Sequence, residues 1–68
     1  MSRQWRKGAI TLVPGYWLLD AAGERAESLD GIEFAVEGGF VNIRVEGRED
    51  VQLVSAPAVA HIRCDSRD

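Results

Sequence analysis

Apolar and polar residues alternate along one stretch of the chain, from Gly31 to Glu46. If this stretch folds back at Gly38 and Gly39 as a two-residue turn, its two halves pair apolar with apolar and polar with polar residues. The apolar face contains Ile32 opposite Val45, Phe34 opposite Ile43 and Val36 opposite Val41, and the other face contains Glu33 opposite Arg44, Ala35 opposite Asn42 and Glu37 opposite Phe40. The pattern therefore predicts a half-buried antiparallel β-hairpin.

Runs of β-branched, aromatic and leucine residues predict further strands on both sides of this hairpin. These runs are residues 10–13, 16–19, 51–55 and 59–64. Pro14 and Gly15 mark a bend between the first two runs, and both runs are apolar on both faces, which predicts burial on two sides. In the last strand, alternation predicts two opposite sets of side chains. They are Ala60, Ile62 and Cys64 on one side, and Val59, His61 and Arg63 on the other.

Residues 20–29 are compatible with two structures. As a hairpin, Asp20 to Gly23 form a type I turn with the glycine in the left-handed position, and a polar strand follows from Glu24. As a helix, the segment begins with Asp20 as its cap and ends at Gly31. The hairpin is favoured because a glycine inside a helix is unfavourable and a short isolated helix is marginal.

These elements predict an all-β, mainly antiparallel fold, a small meander barrel or roll, with one short helix at 20–30 as the alternative. The order of a long bent first strand, three more strands, a proline-containing break and a short last strand resembles that of SH3-type barrels, which are similar in size. No family motif is matched, so the resemblance concerns architecture alone. We expect a flexible basic and aromatic arm at 1–8, a single β domain at 9–64 and a frayed tail at 65–68.

The length of the chain limits its core. A chain of 68 residues buries only about 60% of the surface that its unfolded form exposes, and such small domains usually need a staple, a partner subunit or dense packing. The single cysteine and single histidine exclude an internal disulfide and zinc sites built from several Cys and His ligands. We therefore expect no metal and no cofactor, and self-association as the extra source of stability.

Charge is distributed unevenly along the chain. Arg3, Arg6 and Lys7 make the first seven residues basic, whereas residues 20–50 carry nine carboxylates and three arginines. Between copies this asymmetry favours head-to-tail association, and within one copy it can dock the basic end. The formal net charge of -3 argues weakly against a general nucleic-acid binder.

The expected location is the cytosol, or a particle assembled there. No run of about 18 apolar residues is present, so the sequence predicts no membrane span. The basic start and the apolar residues up to Leu19 have the appearance of a signal peptide, but Thr11, Pro14 and Gly15 interrupt the apolar run. A single free thiol fits a reducing compartment.

Candidate chemistry is sparse, and the sequence predicts no enzyme and no small-molecule substrate. His61 is the single imidazole, and no nucleophile or orienting acid is predicted beside it, so catalysis through it is a minor alternative. Cys64 is expected to be a small buried apolar residue. Gly38 and Gly39 are expected to form a turn and not a phosphate-binding loop, because no helix follows them.

Aromatic and basic residues give the main hint of function. The interface candidates are Trp5, Arg6, Tyr16, Trp17, Phe40 and Arg44. We expect one of the adjacent pair Tyr16 and Trp17 to enter the core. The leading hypothesis is a non-enzymatic β module that binds a protein partner or itself, as a structural subunit of a larger assembly such as a virus particle, or as a stoichiometric inhibitor. The alternative is a small-barrel binder of single-stranded nucleic acid that uses Arg3, Trp5, Arg6 and Lys7 with Tyr16 or Trp17.

Overall fold

The computed structural model describes residues 4–65, which fold mainly as antiparallel β-strands. The strands are β1 (Arg6–Leu12), β2 (Leu18–Leu19), β3 (Arg25–Ala26), β4 (Ser28–Glu37), β5 (Phe40–Val45), β6 (Gln52–Ser55) and β7 (Val59–Cys64), with one 3-10 turn at Ala56–Ala58. The predicted all-β class is confirmed. Residues 1–3 of the expected arm and residues 66–68 of the expected tail lie outside the described residues.

Five strands form one sheet in the order β6-β5-β4-β1-β7, and β2 pairs with β3 in a separate two-stranded ribbon. The expectation of a barrel is not met, because β6 and β7 remain the two edges of an open sheet. The 3-10 turn between β6 and β7 lies beside the end of β1, since Ala58 O accepts a hydrogen bond from Val13 N at 2.8 Å. Pro57 lies in this turn and has no N–H with which to continue pairing along β6.

The hairpin of β4 and β5 has the predicted register at all six pairs, from Ile32 opposite Val45 to Glu37 opposite Phe40. One side chain departs from the predicted apolar face. Val36 is 66% exposed, because β1 begins opposite Phe34 and Val36 extends beyond the end of this neighbouring strand. Two residues depart in the opposite direction, since Ala35 and Asn42 are buried on the face that the pattern predicts to be polar.

A bulge in β4 places Leu29 and Ile32, which are three positions apart, on the same side of the strand. Gly8 of β1 pairs with Ile32 and Ile10 pairs with Leu29, so β4 has one more residue than β1 between these pairs. Gly31 lies in this insertion with φ +64, a conformation that glycine adopts without strain. Both Leu29 and Ile32 consequently contribute to the core.

A second irregularity, in β7, overturns the alternation predicted there. Thr11 pairs with His61 whereas Leu12 pairs with Val59, so Ala60 is the extra residue of β7. Val59 and Ile62 both pack against the core, and Ala60 is exposed. The predicted grouping of Ala60 with Ile62 is therefore wrong, because an inserted residue shifts the side chains that follow it to the other face.

Strand β1 begins at Arg6, three residues earlier than the expected domain start at residue 9. It lies between β4 and β7 and pairs with both. At Gly8 the backbone of β7 approaches so closely that no side chain fits, since a Cβ atom there would overlap Arg63 O. Glycine at this position therefore permits β7 to pack beside β1.

Residues 20–29 form the hairpin that the sequence favours and not the alternative helix. The Asp20 carboxylate oxygen Oδ1 accepts hydrogen bonds from the backbone N–H groups of Ala22 and Glu24, both at 2.9 Å. Gly23 has φ +82, the left-handed conformation that the turn requires. This turn joins the short strands β2 and β3 into the ribbon.

The ribbon is held against the large sheet by a side chain of β6. The Gln52 amide accepts a hydrogen bond from Leu19 N and donates one to Leu19 O, both at 2.9 Å. Beside this contact, the buried side chain of Leu18 inserts into the core. The buried apolar cluster is formed by Ile10, Leu12, Leu18, Ile32, Phe34, Val41, Ile43 and Val45.

Candidate protein-interaction surface

One face of the five-stranded sheet covers the core, and the opposite face, here called the outer face, carries three of the six predicted interface residues. Phe40 and Arg44 alternate with the buried residues Val41 and Ile43 of β5 and therefore point outward. Trp5, immediately before β1, joins them because its ring lies against the Arg44 guanidinium. The outer face thus brings together Trp5, Phe40 and Arg44.

Arg44 is fixed between an aromatic ring and a carboxylate. Its Cζ atom lies 4.2 Å from the centroid of the Trp5 ring, and its Nη1 atom donates to Glu33 Oε1 at 3.2 Å. A guanidinium can stack on an aromatic face and bond a carboxylate at the same time, which lysine does less well. Trp5 is half-buried by these contacts, so this residue of the predicted arm packs against the sheet.

Asn42 lies at the centre of the outer face and is 3% exposed. Its Nδ2 atom donates to Ala35 O and to Glu37 Oε1, both at 3.2 Å. A buried polar side chain is destabilising unless it is hydrogen-bonded. These two bonds engage the Asn42 Nδ2 group, and among residues 4–65 no buried side-chain polar atom lacks a partner. The Asn42 side chain at the centre of the outer face is consequently held in one orientation and shielded from solvent.

Two large apolar side chains are exposed beside Asn42. Phe40 is 52% exposed and Leu53 is 60% exposed. Leu53 pairs with Asn42 and Ser55 pairs with Phe40, so Phe40 and Leu53 are diagonal neighbours on one face. The sequence analysis identifies Phe40 and misses Leu53. The signal that identifies Leu53 is its register against β5, which depends on the length of the 46–51 connection.

The other predicted interface residues lie elsewhere. Tyr16 and Trp17 precede β2 and are both exposed, so the prediction that one of them enters the core is wrong. The reason is that no regular strand forms at these two positions, and Leu18 fills the core instead. Arg25 stacks on Trp17, with Cζ 4.6 Å from the ring centroid. Arg6 is exposed at the start of β1, opposite the core residue Phe34.

A charged cleft of about 430 Å³ lies at the end of the sheet where β5 leads into its loop. Lys7 lines it together with five carboxylates, which belong to Glu33, Glu46, Glu49, Asp50 and Asp65. Residues from the basic start and from the acidic middle of the chain therefore meet within one copy. Arg44 and Arg48 line the same cleft, and docking of the basic start within one copy stays a prediction.

Arg48 connects this cleft by hydrogen bonds to the turn of the ribbon. It donates to both carboxylate oxygens of Asp50, at 3.0 Å and 2.8 Å, and its Nη1 atom donates to Asp20 O at 3.3 Å. The hydrogen bond from Arg48 lowers the pKa of the Asp50 carboxyl below its ordinary value. The same hydrogen bond raises the pKa of Arg48, so the pair is ionised at neutral pH.

Chemically reactive residues are isolated within residues 4–65. His61 and Cys64 are both exposed, and no group of three or more Asp, Glu, His or Cys side chains in this range could hold a metal ion. The expected burial of Cys64 is wrong, because Cys64 lies opposite Gly8 at the end of the edge strand β7 and is exposed there. In the same range, no helix is long and apolar enough to cross a membrane.

No protein-family model, no curated protein sequence and no solved structure matches the chain. The assignment of a function therefore depends on the surface geometry described above.

Proposed function

We propose that this chain is a non-enzymatic protein-interaction module that associates with copies of itself through the outer face of its sheet, around Phe40 and Leu53. The observation that carries the proposal is the exposure of these two neighbouring apolar side chains beside a fixed Trp5 and Arg44 pair. Aromatic residues and arginine are enriched at protein interfaces, and the energetically dominant contacts are commonly Trp, Tyr and Arg.

The order of the surrounding side chains supports association. Arg44 is held by Trp5 and Glu33, and Asn42 is held by Ala35 and Glu37. A surface that is already ordered loses less side-chain entropy when a partner binds. Less of the hydrophobic free energy gained by burying Phe40 and Leu53 would therefore be offset by the cost of ordering the side chains around them.

The small core supplies a second reason for association. Among residues 4–65, the main cluster of buried apolar residues has eight members. Domains of this size bury a small fraction of their surface, and binding to a second copy stabilises the folded state by mass action. A structural subunit of a larger assembly, including a virus particle, and a stoichiometric inhibitor are the roles that we propose for such a module, in the cytosol.

The alternative of nucleic-acid binding has weaker support. The side chains that would contact phosphates and bases are partly engaged within the chain, since Trp5 stacks on Arg44 and Lys7 shares a cleft with five carboxylates. Tyr16 and Trp17 lie on the connection between β1 and β2, where the Trp17 ring stacks with Arg25, whereas Trp5 stacks with Arg44. A basic groove with stacking aromatics is the usual arrangement for single strands, and the outer face, as far as residues 4–65 form it, does not present one.

Self-association is tested by measuring mass in solution over about a hundredfold range of concentration, together with the melting temperature at each concentration. We expect the mass and the melting temperature to rise with concentration in the unaltered chain. Phe40→Ser and Leu53→Ser should weaken association, whereas Val36→Ser, at an exposed valine on the hairpin tip, should not. A monomer at every concentration would overturn the proposal.

A further inference from the structure

The two edges of the large sheet differ in how well they are protected against pairing with another strand. Edge strands of monomeric proteins usually carry charges, proline or a bulge, which prevent such pairing. β7 has an extra residue at Ala60 and carries Arg63 and His61. β6, with the sequence Gln-Leu-Val-Ser, has no charge, no proline and no register shift against β5. The edge formed by β6 is thus the unprotected one.

The direction of the free backbone groups of β6 follows from one hydrogen bond. Ala56 N donates to Gly39 O at 2.8 Å, and this pair continues the register of Ser55 opposite Phe40. Hydrogen-bonded and non-hydrogen-bonded pairs alternate in an antiparallel ladder. Val54 and Gln52 therefore bond to β5, and the backbone N–H and C=O groups of Leu53 and Ser55 point away from the sheet.

The free backbone groups and the exposed apolar side chains occur at the same place. The backbone N–H and C=O groups of Leu53 both point away from the sheet, and its side chain is largely exposed. The ribbon contacts β6 through the side chain of Gln52, on the core side of the strand. Within residues 4–65, the ribbon makes no hydrogen bond to the backbone of Leu53 or Ser55. An added strand could satisfy these backbone groups and cover Leu53 in a single contact.

We propose that β6 pairs in antiparallel orientation with β6 of a second copy, with Leu53 directly opposite Leu53 of that copy. This inference rests on the proposed self-association and specifies one contact of it, at Leu53 on the β6 edge of the outer face, with Phe40 one strand away on β5. The two five-stranded sheets would become continuous across a two-fold axis. Leu53 would exchange both of its outward backbone hydrogen bonds with its counterpart, and Ser55 would pair with Val51.

A second copy fits this edge in charge as well as in backbone geometry. In the antiparallel arrangement the acidic residues Glu49 and Asp50 of one copy lie beyond Ser55 of the other, beside the uncharged Ala56 and Pro57. No like charges then face each other across the new pair of strands. Pairing of β6 with β7 of another copy is disfavoured by the extra residue at Ala60, and the two-fold contact closes after two copies.

The length of β6 predicts that the dimer is weak. Four residues form the strand, and a contact of this extent falls below the roughly 1,200 Å² that stable interfaces bury. We therefore expect a dissociation constant of about 1 μM or higher, and rapid exchange between monomer and dimer. The concentration series described above should therefore be centred near this value.

Amide hydrogen exchange followed by NMR in the full chain tests the geometry residue by residue. We expect protection of the Leu53 and Ser55 amides to increase with protein concentration, whereas the Gln52 and Val54 amides are protected at all concentrations. Association in which the Leu53 and Ser55 amides stay unprotected would overturn the pairing of β6 and leave self-association standing. A monomer at every concentration would overturn both.

Ser55→Pro provides an independent variant. Ser55 has φ -74, within the range of proline, and its N–H points away from β5, so the substitution should leave the fold intact. The ring would remove an outward donor and obstruct the incoming strand. We expect at least a tenfold weaker association with unchanged circular dichroism. Equal association of Ser55→Pro and the unaltered chain would overturn the proposed pairing.

Leu53→Lys and Val36→Lys form a matched pair of charge insertions at exposed apolar positions, one on the β6 edge and one on the hairpin tip. In the proposed dimer the two introduced lysines at position 53 face each other, which is destabilising. Leu53→Lys should therefore abolish association over the measured range, and Val36→Lys should preserve it. Retained association in Leu53→Lys would overturn the proposed register.

Discussion

Individual residues show why the pairing pattern of the hairpin predicts contacts better than burial. The pattern assigns Val36 and Ile43 to the apolar face, and the predicted partners of both are correct. Ile43 is fully buried, whereas most of the Val36 side chain is exposed. The pattern within one hairpin specifies which side chains share a face, but the extent of burial depends on where the next strand begins.

This contrast predicts unequal effects of the same kind of substitution. Ile43→Ala removes apolar atoms from a closed core and should lower the free energy of unfolding by about 2 to 5 kcal/mol. Val36→Ala, at an exposed position of the same hairpin, should change it by less than about 0.5 kcal/mol. Urea denaturation of both variants measures the difference, and equal losses would contradict the position of β1 beside the hairpin.

The ion pair of Arg48 and Asp50 predicts a pH dependence. Because the Arg48 hydrogen bond lowers the pKa of Asp50 in the folded chain, the pair stabilises the fold above the pKa that Asp50 has when unfolded. This contribution is lost as the pH falls through the lowered folded pKa. Asp50→Asn should therefore lower the melting temperature at neutral pH and have no effect once the pH lies below both values.

The control for this measurement is Asp30→Asn. Asp30 is exposed, and it forms no ion pair among residues 4–65, so its substitution should leave the difference between neutral and acid melting temperatures unchanged. A decrease in melting temperature for Asp50→Asn that is equally large at neutral and strongly acid pH would show that the ion pair is not its cause.

At the scale of elements, the sequence predicts the turns and misses the insertions. The turns at Gly38-Gly39 and at Asp20 to Gly23 follow from their residue types, because each turn is defined within a few neighbouring residues. The extra residues in β4 and β7 are not predicted, since a bulge is specified by the partner strand, whose register the sequence does not state. The alternation expected for β7 is wrong for this reason.

The attachment of the ribbon to β6 predicts the effect of a nearly isosteric substitution. Gln52→Glu retains the acceptor for Leu19 N but replaces the donor to Leu19 O by a carboxylate oxygen. The resulting unsatisfied and repelled carbonyl should lower the free energy of unfolding by about 1 to 3 kcal/mol at neutral pH. Urea denaturation measures the total effect, and the exchange rate of the Leu19 amide reports whether the ribbon itself is released.

Glu24→Gln makes the reverse exchange of a carboxylate and an amide at an exposed position of the ribbon turn. Its effect should remain within about 0.5 kcal/mol. If Gln52→Glu and Glu24→Gln had equally small effects, the two hydrogen bonds between Gln52 and Leu19 would not be what holds the ribbon.

At the scale of the whole molecule, the order of the strands does not follow from the sequence pattern. β1 lies between β4 and β7, and no local pattern relates residues 6–12 to residues 59–64. The same limit applies to the outer face, where the hairpin pattern identifies Phe40 and Arg44 but misses Leu53, because Leu53 joins them only after β6 is placed. The open sheet, in place of a closed barrel, which is one of the two expected forms, follows from this order and leaves β6 available for pairing.

The central position of β1 also determines when the chain can finish folding as it is synthesised. Strand β1 is synthesised before β4 and β7 and pairs on one side with β4, but its other side pairs with β7, at Gly8 opposite Cys64. This pairing requires closure of a loop that includes most of the chain, which slows folding. The flank of β1 that pairs with β7 must therefore wait until β7 has been synthesised, and the hairpin of β4 and β5 is the element best able to fold before it.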